Sequence, residues 1–168
     1  MDVTIGPMQS GDWPAVRDIF EQGIATGQAT FETETPDWTA WDAGHLAAPR
    51  LVARDPRDVL GWAALSPFSR RRCYAGVAEV SIYVAAALRG HGVGGRLLDA
   101  LITGAEARGV WSLQAVVFPE NAVSVALHEH RGFRVVGRRV RIAQDHGVWR
   151  DTLLLERRSP TVGTSPSP

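Results

Sequence analysis

The sequence predicts an α/β chain of the α+β kind, built on one mixed sheet flanked by helices. Residues 77–108 read as strand, glycine turn and amphipathic helix, and 111–118 (Trp-Ser-Leu-Gln-Ala-Val-Val-Phe) supply a second buried strand, which together make one β-α-β crossover. A hairpin, 51–54 and 59–65 about Asp55-Pro56-Arg57-Asp58, stands ahead of that crossover. The 168 residues are 45% hydrophobic and 21% charged, which suits a single globular domain with a sizeable core.

In chain order, 3–7 is the first strand. Asp12 is placed to cap a helix with Pro14 in its first turn and Val16, Ile19, Phe20 and Ile24 on its apolar face. Residues 26–36 are polar around a lone Phe31 and read as a loop; long loops in small domains often bind ligands. A second helix is expected over about 37–48. After the hairpin, 67–76 is a polar loop carrying Arg70-Arg71-Arg72 and Tyr74. In 77–84 the period of two sends Val80, Ile82 and Val84 to one face and Glu79, Ser81 and Tyr83 to the other. Leu97, Leu98, Leu101, Ile102 and Ala105 then repeat at helical spacing until Gly109. Asn121 can cap a helix ending before Gly132, with Asn121, Ser124 and His128 on one face. Residues 133–142 and 148–155 are the last strands, about Asp145-His146-Gly147. The domain is expected to span 1–158, and 159–168, rich in Pro, Ser and Thr, to be a flexible tail.

Chemistry is expected at the glycine turn. Glycines 90, 92, 94 and 95 bare backbone amides where a helix begins, an anion site suited to phosphate or pyrophosphate, and Arg89 adds a full charge. A nucleotide-hydrolase phosphate loop requires Gly-Lys before Ser or Thr, and the chain contains no lysine. Gly90-x-Gly92-x-x-Gly95 matches the dinucleotide fingerprint by letter. That turn, however, follows its strand directly and is answered by an acid about 20 residues on, and 110–118 hold none. Arg-x-x-Gly-x-Gly after a strand resembles the acyl-coenzyme A pyrophosphate loop of the GNAT N-acetyltransferases. A helix start whose glycines serve only packing is the remaining reading.

Formal net charge is zero and the basic residues are scattered, so no nucleic-acid partner is expected. Cys73 is the single cysteine, which excludes an intrachain disulfide and a cysteine metal cluster; no metal is expected. No apolar run approaches 18 residues and no basic-then-apolar leader opens the chain, so a cytoplasmic protein without membrane attachment is expected. Arginine as the sole long basic residue suggests a GC-rich bacterial genome.

Over about residues 2–157 the chain resembles the GNAT superfamily, and within it the phosphinothricin and methionine sulfoximine acetyltransferase-like group. The motifs are Ala29-Thr30-Phe31 with Glu32-Thr33, Arg71-Arg72-Cys73-Tyr74, Glu79-Val-Ser-Ile-Tyr-Val84, Arg89-Gly-His-Gly-Val-Gly94, Pro119-Glu-Asn121 with Ser124, Leu127-His128-Glu129 before Gly132-Phe133, and His146-Gly-Val-Trp149-x-Asp151. The resemblance implies the acyl-CoA N-acyltransferase fold: about seven strands in a mixed sheet, with a splayed parallel pair at the cofactor cleft. It implies acetyl-CoA as co-substrate, a homodimer, and direct acetyl transfer in a ternary complex to the α-amino group of a small amino acid or analogue. The pantetheine arm would pair with Ile82, Tyr83 and Val84. The pyrophosphate would sit on Arg89, Gly90, His91, Gly92, Val93, Gly94 and Gly95, and Asn121 and Ser124 would reach the arm from across the gap.

Acetyl transfer needs a neutral amine, because an ammonium has no lone pair. Glu79 is expected to remove that proton, directly or through water; the competing reading is a strand carboxylate paired with arginine. His128 is expected to protonate or hydrogen-bond the leaving thiolate, against a purely structural helical histidine. The Val84 amide is a candidate oxyanion donor. Arg71, Arg72 and Tyr74 are expected to hold a substrate carboxylate, and Phe31 to wall the pocket. Two alternatives stay open: another amine acceptor (aminoglycoside, polyamine or protein N-terminus), and a non-catalytic acyl-CoA-binding module.

Overall fold

The structure is a computed structural model and describes residues 2–165. Its elements are β1 (Thr4–Pro7), α1 (Trp13–Ile24), α2 (Trp38–Gly44), β2 (Arg50–Arg54), β3 (Val59–Pro67), β4 (Val77–Val84), α3 (Val93–Glu106), β5 (Ser112–Val117), α4 (Ala122–Glu129), β6 (Arg134–Asp145) and β7 (Val148–Arg158). The strands form one seven-stranded sheet in the order β1-β2-β3-β4-β5-β7-β6. β4 and β5 run parallel and the other neighbours antiparallel, as the crossover and hairpin predict.

Each face of the sheet has its own core. α3 covers one face through Leu97, Leu98 and Leu101, wholly buried against Leu113, Ala115, Val117 and Leu155; each leucine contributes roughly 2 kcal/mol of apolar burial. α1 and α2 cover the other through Val16, Phe20 and Trp41, packed on Val52 and Trp62. The alternation in β4 follows the sequence: Val80, Ile82 and Val84 pack toward α3, and Tyr83 toward α1.

Several local expectations are revised. Asp12 does not cap α1 through its side chain. A short 3-10 turn at Ser10–Asp12 runs straight into the helix, so the Asp12 backbone is already helical, and its carboxylate accepts from the Gln9 amide (2.7 Å) and Arg54 Nη2 (2.9 Å) instead. α2 ends at Gly44, short of residue 48, because His45 turns extended; Asp37 caps its start by accepting from the Ala40 amide at 2.8 Å. β6 and β7 run longer than expected, to Asp145 and Arg158, and tolerate a register shift between Arg139 and Ala143. At that bulge Arg141 takes a φ of 49°, and its amide donates to Asp151 Oδ1 at 2.7 Å. Beyond β7, Ser159 is buried and Arg158 donates to the carbonyls of Trp111, Val162 and Gly163. The last part of the expected tail, 166–168, lies outside the described residues. Among the described residues no helix is long and apolar enough to cross a membrane.

Candidate active site

β4 and β5 pair at only three positions: Val77 with Ser112, Ala78 with Leu113, and Glu79 with Gln114. Both strands continue, to Val84 and Val117, but no longer pair with each other. The expected splay is therefore present, and it opens immediately after Glu79. The parted edges, 80–83 and 115–117, line a cavity of about 680 Å³. Unpaired strand edges inside a fold leave backbone donors and acceptors that an extended ligand can satisfy.

Glu79 stands at the apex of this opening and on the cavity wall, registered opposite Ser66 of β3. Gln114 Nε2 donates to its Oε2 at 2.7 Å. The arginine pairing that competed with a catalytic role is not found among the described residues; the partner is a neutral amide.

His128 reaches the cavity from α4. The helix starts there because Asn121 Oδ1 accepts from the Ser124 amide at 3.1 Å. One turn later, His128 Nδ1 lies 2.8 Å from the Ser124 carbonyl. A carbonyl only accepts, so Nδ1 carries the hydrogen. The ring is 2% exposed, meets Phe133 edge-on at 5.0 Å, and keeps a buried Nε2 with no partner. Burial holds its pKa below the ordinary 6.5; the Ser124 carbonyl opposes this and the Arg131 charge adds to it. The resting ring is therefore neutral with an acceptor at Nε2. A proton for a leaving thiolate would have to be acquired first. Asn121 has a second task, donating through Nδ2 to the Gln28 carbonyl at 3.1 Å.

The glycine turn delivers the expected bare amides. Gly90 and Gly92 have φ of 79° and 80°, and a Cβ at either would meet nothing within 4 Å, so conformation rather than crowding demands glycine. Gly92 caps α3, and Arg96 is the first amide of the segment to find a helical acceptor, Gly92 O at 3.2 Å. At Gly95 a Cβ would lie 2.2 Å from Arg131 Nη2, so the arginine side chain would have to move to admit one. Val93 is buried in the core, and Gly94 faces Val84 and Leu127. Arg89 straps the turn to its surroundings, donating to Val84 O (3.2 Å) and Gln22 O (3.3 Å), and His91 Nδ1 lies 3.0 Å from Arg89 O.

In β4, Tyr83 stacks on Trp62 at 4.9 Å and meets Phe20 at 4.8 Å. Gly23 permits this, because a Cβ there would stand 2.5 Å from the tyrosine ring. Burial pushes the Tyr83 phenol up to about 12.

At the other end of the cavity Phe31 meets Phe118 edge-on at 4.8 Å, and both rings line the wall. The Arg150 guanidinium lies 4.0 Å over Phe118 and donates to Gly27 O and Gln28 Oε1 (3.0 Å each) and Asp145 Oδ2 (3.1 Å). Arg71, Arg72 and Tyr74 are elsewhere. They sit exposed on the β3–β4 connection, Arg71 over the Tyr74 ring at 5.6 Å, and are not part of the cavity wall.

The sequence pattern of the acetyltransferase (GNAT) family matches residues 13–133. The chain belongs to this family. It is 32% identical over 163 residues to the L-methionine sulfoximine/L-methionine sulfone acetyltransferase of Pseudomonas paraeruginosa, covering 93% of this chain and 94% of the relative. It is 33% identical over 164 residues to the phosphinothricin N-acetyltransferase of Alcaligenes faecalis, covering 92% and 81%. A crystal structure of a GNAT phosphinothricin acetyltransferase from Sinorhizobium meliloti in complex with AcCoA superposes with a TM-score of 0.88 at 28% identity, covering 100% of this chain and 94% of that one.

In this GNAT chain the polar groups suit an acyl-CoA: amides and a helix N-terminus for the pyrophosphate, open strand edges for an amide-bearing arm, and the unpartnered acceptor Nε2 of His128, a residue of the same cavity wall. Among the described residues no cluster of His, Cys, Asp and Glu is placed to hold a metal. Sequence reasoning passed over Trp41, His45 and Thr152, which also line the cavity, and over Gln114 and Arg150. Gln114 did carry a signal: it is the one amide in a strand whose remaining residues are Ser112 and aliphatics. Arg150 carried none for its hold on the 26–36 loop, because Gly27 and Gln28 are more than 100 residues away.

Proposed function

We propose that this GNAT chain transfers acetyl from acetyl-CoA to the α-amino group of a small amino acid or analogue, of the phosphinothricin, methionine sulfoximine or methionine sulfone type. One observation carries the reading: the parallel strands part directly after a carboxylate on the cavity wall.

In this reading the amides of 92–95 hold the diphosphate and Ile82, Tyr83 and Val84 pair with the arm. Bound there, acetyl-CoA supplies an activated acyl carbon. Glu79 takes the ammonium proton, directly or through water, freeing the lone pair. That carbon gains a bond to nitrogen and loses its bond to sulfur. His128 Nε2 accepts a hydrogen bond while neutral and becomes a donor to sulfur only after taking up a proton. Phe31 and Phe118 wall the acceptor's side chain. Arg71, Arg72 and Tyr74 lie on the connection that leaves β3 just past Ser66, the cross-strand partner of Glu79, and are assigned the substrate carboxylate. We also assign the chain to the cytoplasm, where acetyl-CoA is made, and to a homodimer. The homodimer is supported by exposed Val140, Ile142, Val148 and Trp149 on the β6–β7 hairpin.

One observation favours a second acceptor class. The charged acidic groups on the cavity wall are Glu32, Glu34 and Glu79, with no arginine among them, which suits a cationic amine such as a polyamine. Thiol release from acetyl-CoA over a panel of amino acids, sulfoximines, phosphinothricin, polyamines and aminoglycosides separates the two. Preference for the amino-acid analogues is expected. Preference for polyamines, or no release with any amine, overturns the reading.

A further inference from the structure

We infer that Gln114 is a positioning residue for the carboxylate of Glu79; the inference rests on the acetyl-transfer reading above. The two residues are partners in the last registered pair before β4 and β5 part. The register of Gln114 is fixed from its other side too, where it pairs with Glu156 of β7. Its Nε2 donates to Glu79 Oε2 at 2.7 Å, while Glu79 lines the cavity and Gln114 does not. One carboxylate oxygen is thus held from outside the cavity and the other is left for the acceptor's proton. Gln114 stands off the cavity wall, so its effect on the acceptor passes through Glu79.

The choice of side chain has a chemical reason. Arginine at this place would fix the carboxylate but add a full charge that opposes proton uptake. An apolar residue, as at Leu113, Ala115 and Val116 around it, would leave the carboxylate free to turn. A primary amide fixes the orientation and adds no charge. At the mouth of a splay this matters most, because one neighbouring strand no longer holds the backbone beyond residue 79.

The test uses the full chain carrying Gln114→Met, which keeps length and volume but has no donor, beside Glu79→Gln. Thiol release is followed as steady-state kinetics, with coenzyme A binding and thermal melting as controls. The expected result for Gln114→Met is a kcat lowered about tenfold with KM for acetyl-CoA within about twofold. In the Glu79→Gln background the same change should lower kcat no further, because a residue that acts only through the carboxylate has nothing left to position. A near wild-type kcat in Gln114→Met, or the same tenfold loss again in the Glu79→Gln background, with Glu79→Gln itself strongly impaired, overturns the inference and leaves the acid–base reading standing. Near wild-type kcat in Glu79→Gln removes that reading and the inference with it.

Discussion

The guanidinium of Arg150 lies 4.0 Å over the ring of Phe118, and Phe118 in turn meets Phe31 edge-on at 4.8 Å. The same guanidinium donates to Gly27, Gln28 and Asp145 and stands 3.4 Å from Glu120. One side chain of the last strand thereby ties the 26–36 loop, the approach to α4 and the β6–β7 turn into one wall of the cavity.

Arg150→Ala leaves the half-buried Gly27 carbonyl and Asp145 carboxylate without this donor and releases the loop. A loss of about 2 kcal/mol in urea unfolding is expected, together with faster proteolysis within 26–36. KM for the amine should rise more than KM for acetyl-CoA. Arg150→Lys should recover little, because a single ammonium cannot reproduce a planar fork that bonds several acceptors and stacks on a ring.

Gly92 and Gly76 give opposite signatures. At Gly92 a methyl group meets nothing, but φ is 80°, so Gly92→Ala costs about 1–2 kcal/mol of backbone strain and shifts the amides that begin α3. Its KM for acetyl-CoA should rise severalfold. At Gly76 a Cβ would lie 2.0 Å from the Trp111 ring, far from the turn, and Gly76→Ala should cost about 1–3 kcal/mol by overpacking. Steady-state kinetics on the folded fraction should show an unchanged KM for acetyl-CoA in that variant. The reverse pattern would contradict the assignment of the turn.

Acid should destabilise the fold through two histidines, the buried His128 and the partly buried His45. Burial holds both His45 and His128 below their ordinary 6.5. Each ring binds its proton more weakly folded than unfolded, so the unfolded chain takes up more protons as pH falls. Their contribution is complete above 6.5, declines as pH drops through and below that value, and levels off once the folded rings are themselves protonated. Urea unfolding at pH 7.5 and 5 should show the decline, and His128→Gln should show less of it. An unchanged decline in that variant would place the titration elsewhere.

Much of this was legible in sequence because it rests on local rules. The period of two in β4 placed Glu79 and Tyr83 opposite Val80 and Ile82, and the glycine spacing located the amides that open α3. What escaped notice depends on distant partners. Asp12 has the residue type of a helix cap, yet Arg54 and the Gln9 amide claim its carboxylate. The length of β6 and β7 is set by their mutual pairing, across a bulge that no propensity marks. The chemistry of Arg71, Arg72 and Tyr74 points to a substrate carboxylate, whereas their place on the exposed β3–β4 connection, beside the cavity wall and not in it, is set by the path of the chain. For His128 the helical face was readable, whereas the tautomer required seeing the Ser124 carbonyl against Nδ1.

The most direct measurement is the turnover of Glu79→Gln with saturating acetyl-CoA and methionine sulfone, read as thiol release beside the dissociation constant for coenzyme A. Proton removal by Glu79 predicts a kcat lower by about a hundredfold or more, with coenzyme A binding unchanged. A variant that turns over within about threefold of the wild type would contradict it.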